Sequence, residues 1–457
     1  MTSGTCRTKE DVDDSRIAKI ALQCVPAISF FSFVSTSLGD IVSIVFTGIS
    51  LFLIFKKPDS RTNTPVILAA LWISYLIFSA AYATQTNSPG DHWRGIGKYC
   101  FIAIGFLATV PFSLILSRDH LKKDTLVLLF LTGLVGGGAF VLVRNGAADF
   151  LAHGWADSMD SLGKLNRNYV GLICSLSIIS ISGLIYFLCS QANIRWARKM
   201  VIIAALAFLL FCEVILLART QSRTSYFATA AAMTIWAFTI LIIDRQGSSD
   251  KKALMRKLII PLAIVAAVTG LLAAYFPLIS TRFDLGFVSQ LSLDHLSINS
   301  ALAKAASTSS DADRLRLISV ALDLINQRPW FGWGPDATRL IDTFSPYPSI
   351  RNLIQFHNGY MQTLVSFGIV GTTFLTILIV AGIRFAILRR TTSQESARLS
   401  KIFFATLLAL VVYILIANVT ESILMVKAPA MICLFVIAIA CARPAPASTH
   451  QPRYSAP

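Results

Sequence analysis

Pro65-Val-Ile-Leu-Ala-Ala-Leu-Trp-Ile-Ser-Tyr-Leu-Ile-Phe-Ser-Ala-Ala-Tyr-Ala-Thr84 runs for 20 residues without a charge. As a helix rising about 1.5 Å per residue it spans about 30 Å, the thickness of a bilayer's hydrocarbon core. Comparable runs recur outward from it in both directions, at 18–38, 39–55, 96–117, 125–143, 169–189, 200–218, 224–243, 258–280, 359–385, 402–418 and 424–442. Only Gly39 and Asp40 divide the first pair. The chain is 55% hydrophobic and 14% charged, with a mean hydropathy of +0.66. A soluble domain carries about a quarter charged residues, so a water-soluble fold of this size is excluded. The short alternating segments of a membrane β-barrel are missing. The expected fold class is all-α: a polytopic membrane protein of about twelve transmembrane helices with one long, partly helical loop.

The net charge of +16 is a topology signal and does not point to nucleic acid. Alternate connections on one side carry 25 Lys and Arg, the short connections on the other side carry 8, and one long loop carries the remaining 7 of the 40. This bias assigns both termini to the cytoplasm and the loop to the outside. The expected parts are an N-terminal bundle of about nine helices (1–280), the outer loop (281–358), about three further helices (359–442) and a disordered cytoplasmic tail (443–457). The first seventeen residues are polar and mixed in charge, unlike a cleavable signal peptide. None of the eight cysteines falls in the outer loop, so no structural disulfide is expected there. No Cys/His cluster has metal-ligand spacing, and no cofactor is expected.

The loop is too long and too patterned for a plain connector. A helical period between Ala312 and Asn326 sets Leu315, Ile318, Ala321, Leu322 and Ile325 on one face, flanked by Arg314. Pro329 stops this helix, and Gly332 and Gly334 follow as a turn. The breaker-rich Ser345-Pro-Tyr-Pro-Ser349 comes next, and His357-Asn358-Gly359 opens the following span.

Four ordered elements lie within about sixty residues: Arg314-Leu-Arg-Leu-Ile-Ser-Val-Ala-Leu322, Arg328-Pro-Trp-Phe-Gly-Trp-Gly-Pro-Asp336, Phe356-His-Asn-Gly-Tyr-Met-Gln-Thr-Leu364 and Phe367-Gly-Ile-Val-Gly371. Together they resemble the O-antigen ligase/polymerase family: an Arg opening a loop helix, a Pro-x-x-Gly-x-Gly turn, a His-Asn before the next span and a Gly-x-x-Gly. Upstream, Thr220-Gln-Ser-Arg-Thr224 is similar to the family's Ser-Arg at the outer end of a span, and Asn166-Arg167-Asn168 faintly resembles another family position. Ile318 departs from the family pattern, which often has an aromatic four residues after the loop Arg.

The resemblance implies a metal-independent, inverting glycosyltransferase of the bacterial inner membrane with its active site facing the periplasm. Its donor would be a glycan on undecaprenyl pyrophosphate, its acceptor a sugar hydroxyl of lipid A-core or of another glycan, and its surroundings membrane lipid. A departing pyrophosphate needs fixed cations, and Arg binds phosphate oxygens with a planar fork that keeps its charge. Arg223 and Arg314 are the expected clamp, with Arg219 and Arg316 as possible second members. His357 suits the general base that takes the hydroxyl proton. Gly332 and Gly334 serve the backbone turn, and Arg328 and Arg351 read as structural. A ligase and a polymerase share this donor chemistry. A transporter is the remote alternative, since it would place charged or broken segments in mid-membrane.

Overall fold

The apolar runs fold as helices, because inside a bilayer only intrahelical hydrogen bonds satisfy every backbone group of a single segment. The computed structural model describes residues 9–34, 36–56, 64–118, 123–143, 161–162, 165–191, 194–246, 251–274, 310–388, 394–422, 435–436 and 438–439. In chain order the helices are α1 (Lys9–Val34), α2 (Thr36–Lys56), α3 (Thr64–Gln85), α4 (His92–Leu107), α5 (Thr109–Arg118), α6 (Lys123–Val141), α7 (Arg167–Ser190), α8 (Trp196–Thr220), α9 (Arg223–Gln246) and α10 (Lys251–Ala274). They continue with α11 (Ser310–Gln327), α12 (Leu340–Phe344), α13 (Gly359–Leu388) and α14 (Gln394–Ala417).

Among the described residues six helical spans are long and apolar enough to cross a membrane, one of them made of α4 and α5 together (His92–Leu116), and four shorter apolar helices accompany them. The protein is a polytopic membrane protein. The run expected at 96–117 is divided at Ala108 into α4 and α5, and α1 starts nine residues earlier than its apolar run. An antiparallel pair, Ser161–Leu162 with Leu165–Asn166, interrupts the all-α pattern just before α7. The run 424–442 and the tail 443–457 lie outside the described residues, apart from the four named above, and so does 281–309 of the loop.

Helix α7 is the post of the larger bundle. Every residue from Val170 to Tyr186 is buried, and α7 packs against α6, α8, α9 and α14. Its small residues permit this, since Gly and Ser let neighbouring backbones approach closely in a membrane. Ser175, Ser180 and Ser182 return their hydroxyls to carbonyls four residues back, at 2.7 Å each. A second apolar group joins α3, α4 and α13 around Trp72, Tyr99 and Phe367. A third, built on α11, Trp333, Leu340, Ile350 and Phe356, forms the core of the loop.

The loop helix appears where its period placed it, but with a different buried face. Leu317, Val320, Ala321 and Leu324 are its buried residues, whereas Leu315, Ile318, Leu322 and Ile325 are half-buried. Apolar side chains cover more than half the circumference of α11, so the sequence defines two adjacent stripes. Packing on Trp333, Leu340 and α13 selects the one that does not follow from spacing alone.

The Pro329–Gly334 turn is spliced into a break in α13. Gly368 leaves the helical conformation there, with φ 62° and ψ −168°, which deprives flanking backbone groups of their usual partners. The turn replaces them. Trp333 N–H donates to the Val365 carbonyl (2.9 Å) and Gly334 N–H to that of Ser366 (2.8 Å), while Ile369 and Val370 N–H donate to the carbonyls of Pro329 (2.8 Å) and Trp330 (3.0 Å). Gly332 and Gly334 both have positive φ, 67° and 96°. A Cβ on Gly332 would lie 2.6 Å from the backbone of Ser366 and Gly368, so its role includes this close approach as well as the turn.

A second joint ties the loop to the α3–α4 connection. Ser88 Oγ donates to the Trp333 carbonyl (2.7 Å), Arg328 donates to the Thr86 hydroxyl and carbonyl (2.7 and 3.1 Å), and Asp336 accepts from Lys98 Nζ (2.8 Å), Arg339 Nε (2.9 Å) and Asp91 N–H (3.1 Å). The loop therefore shares one face of the molecule with the connection 86–91.

Candidate active site

The triplet His357-Asn358-Gly359 divides its work by residue. Asn358 Oδ1 accepts the N–H groups of Tyr360 and Met361 at 3.1 and 3.0 Å, which caps the start of α13. Gly359 donates its N–H to the Asn418 carbonyl at 2.9 Å, and any Cβ there would overlap the Asn418 side chain. The start of α13 is thus pressed against the end of α14. His357, just ahead of the cap, adopts a left-handed backbone with φ 50° and turns its ring toward the short stretch beyond Asn418.

That stretch supplies Glu421. Its Oε2 lies 3.1 Å from His357 Nδ1, and its Oε1 accepts from Arg314 Nη2 (2.8 Å) and Asn168 Nδ2 (2.7 Å). Gln355 Nε2 also lies 3.3 Å from His357 Nδ1. One carboxylate thus gathers the first residue of the loop motif, the His before α13 and the start of α7. Its side chain is 11% exposed, against 31% for Arg314 and 22% for His357. The Arg and the His consequently keep surface for a ligand while the carboxylate beneath them is covered.

The start of α9 meets the same place. Thr224 and Thr420 share a hydroxyl–hydroxyl hydrogen bond, which sets Arg223 and Glu421 each one residue from a common contact. Arg223 is half-buried at the first turn of α9, where the helix N-terminus also favours an anion. Arg219 is 3% exposed in the last turn of α8, four residues before it across the Gln221 turn. Below, a hydroxyl cluster joins α7, α9 and α14. Ser222 Oγ donates to Ser225 Oγ (3.0 Å), Tyr413 OH to Ser225 Oγ (3.3 Å) and Thr229 Oγ1 to Ser175 Oγ (2.7 Å).

The other expected residues stand elsewhere. Arg316 points along α11 to Asp313 Oδ1 (2.9 Å) and Ser349 Oγ (3.2 Å), with Tyr347 under its guanidinium. It braces the loop against Pro348–Ile350, apart from Glu421. Gly332 and Gly334 belong to the splice. Arg328 spans Thr86 and the Trp333 ring (4.1 Å), and Arg351 donates to the Ser345 carbonyl (3.1 Å). Deeper in α8, Glu213 is fully buried, with the Cys174 thiol beside its carboxylate. It lies about 9 Å along the helix from Arg219.

Sequence reasoning missed Glu421 and set Asn168 aside. The available signal for Glu421 was a carboxylate at the end of an apolar run, in Asn418-Val-Thr-Glu-Ser422. Polar residues at that depth are costly unless they have partners.

Residues 205–376 match a family model described as O-antigen ligase. The match holds Arg219, Arg223, Arg314, Arg316, Gly332, Gly334 and His357. Asn168 and Glu421 fall on either side of it. No curated protein matches the chain.

Proposed function

We propose, for a chain that carries an O-antigen ligase domain over residues 205–376, that it moves a polysaccharide from undecaprenyl pyrophosphate to a sugar hydroxyl of lipid A-core, at the periplasmic face of the bacterial inner membrane. The observation that carries this reading is the convergence of Arg314 and His357 on Glu421 beside the start of α9.

In the reaction, the bond between the anomeric carbon and the pyrophosphate oxygen breaks, and its electron pair leaves with undecaprenyl pyrophosphate. The acceptor oxygen forms the new bond from the opposite face, which inverts the anomeric centre. Its proton passes to His357 Nε2. That assignment is supported by Nδ1, which lies 3.1 Å from the Glu421 carboxylate and 3.3 Å from the Gln355 amide. An ionised carboxylate only accepts and is the closer and stronger partner, which favours the tautomer that leaves Nε2 with its lone pair. Arg314 uses one N–H group on Glu421, and the rest of its fork faces the leaving group with Arg223. Arg219, 3% exposed in the last turn of α8, adds positive charge from a covered position. A donor contact that tightens as charge develops contributes about 3 kcal/mol, a rate factor on the order of a hundred. These arginines neutralise the pyrophosphate without a metal.

The purified protein in nanodiscs, given the lipid-linked glycan, lipid A-core and EDTA, tests the reading. Glycan on lipid A-core is the expected product. Elongation of the lipid-linked glycan in its place would make the protein a polymerase, and activity lost in EDTA and restored by Mg²⁺ would overturn the arginine clamp.

A further inference from the structure

We propose that the groove between α11 and α12 is a glycan subsite, holding sugar residues of a substrate chain well away from the bond being exchanged. The inference rests on the transferase reading and adds a binding site to it. The groove has a volume of about 340 Å³ and is lined by Val320, Asp323, Leu324, Asn326, Gln327 and Phe344.

Its floor is fixed. Val320 and Leu324 are buried, and the Leu324 carbonyl accepts the indole N–H of Trp333 at 2.8 Å. The Trp333 ring packs against Phe344 with centroids 5.3 Å apart. Above this floor the rim is polar. Asp323, Asn326 and Gln327 are exposed, and their side chains form no hydrogen bond among the described residues. Phe344 is 41% exposed.

A carboxylate, two amides and an aromatic ring around a concave surface match the chemistry of a sugar. Amides and carboxylates bind hydroxyls in both directions, and the ring covers the apolar face of a pyranose. A phosphate finds no cation among these lining residues and meets Asp323, so the preferred ligand is the glycan and not the pyrophosphate. Position supports this. Asp323 and Gln327 follow Arg314 by nine and thirteen residues on one helix, about 13 to 20 Å along its axis. A chain reacting at Arg314 reaches them only if it is several sugars long, as a lipid-linked polysaccharide is.

Both the donor glycan and the acceptor glycan carry this chemistry. The test uses the double variant Asp323→Ala/Gln327→Ala and the single variant Phe344→Ala in the full-length protein. Steady-state transfer is measured with donors of one and of many repeat units, and with the acceptor titrated separately. Binding of the oligosaccharide released from each substrate is measured directly on wild type and variants. We expect KM for the long donor to rise about tenfold with kcat unchanged, the single-repeat donor to be unaffected, and oligosaccharide binding to weaken in parallel. The same rise confined to the acceptor would also uphold the subsite and assign it to the acceptor. Equal oligosaccharide binding by wild type and variants, with KM unchanged at every chain length, would overturn it. Failure of wild type to transfer either donor would instead count against the transferase reading, and the binding measurement would still decide the subsite.

Discussion

His357 holds a left-handed backbone that most residues avoid, and its ring is tied through Nδ1 to a carboxylate 64 positions later. The orientation is therefore built by two separate segments of the chain, and the two differ in how legible they are. Arg314, Arg223 and His357 could be picked out because each sits in a motif that resembles the pattern of the O-antigen ligase/polymerase family. Glu421 has no such pattern. It closes a plain apolar run, and only the contact between Gly359 and Asn418 brings it to the histidine. Arg316 shows the converse, since the motif offered it as a possible second member of the clamp while its side chain goes to Asp313 and Ser349. Two predictions belong at this scale. Glu421→Gln keeps the shape, but its amide would donate to Nδ1 and move the ring proton to Nε2, where it blocks the base. Its kcat should fall on the order of a hundredfold or more with donor KM little changed. Arg314→Ala should cost about a hundredfold in kcat/KM, and Arg316→Ala should act mainly by lowering the unfolding temperature. Equal kinetic losses for the two arginines, at equal stability, would show that the clamp has been misassigned.

At the scale of elements, the two glycine motifs of the loop region turn out to be halves of one joint. The sequence separates Pro329–Gly334 from Phe367–Gly371 by more than thirty residues, the first read as a turn and the second lying inside an expected span. The fold uses the first to fill the hydrogen-bonding gap that the second opens in α13. Nothing in local spacing could announce that, because the pairing is between distant backbones. The phase of α11 was obscure for a related reason: two apolar stripes compete, and tertiary packing chooses. The joint predicts the behaviour of Gly368→Ala. Its φ and ψ are accessible almost only to glycine, at a cost of about 1–3 kcal/mol for other residues, and a Cβ would overlap the Trp330 carbonyl. The variant should unfold several degrees lower in detergent and lose transfer activity, because the loop that carries Arg314 is anchored there. Gly270→Ala, with nothing within 4 Å, should unfold at or above the wild-type temperature. Equal unfolding temperatures for the two variants would contradict the joint.

At the scale of the whole molecule, the apolar runs foretold the helical membrane fold, and the structure adds which connections lie together. The α3–α4 connection, the starts of α7 and α9, the loop and the end of α14 converge on one face. These are the connections that the Lys and Arg count grouped as the poorly charged side. We expect that face to be periplasmic. With the eight native cysteines replaced, Thr343→Cys should react with an impermeant thiol reagent once the outer membrane is opened, and Ile194→Cys, between α7 and α8, only after the inner membrane is breached. The reverse pattern would invert the protein. The central claim is that the residues gathered by Glu421 perform the transfer. The most direct test compares purified His357→Ala and Arg351→Ala, a catalytic variant and a structural control from the same loop, in transfer from the lipid-linked glycan. The account predicts that His357→Ala binds donor and transfers nothing measurable, while Arg351→Ala works at near wild-type rate. Transfer by His357→Ala at a comparable rate would contradict it.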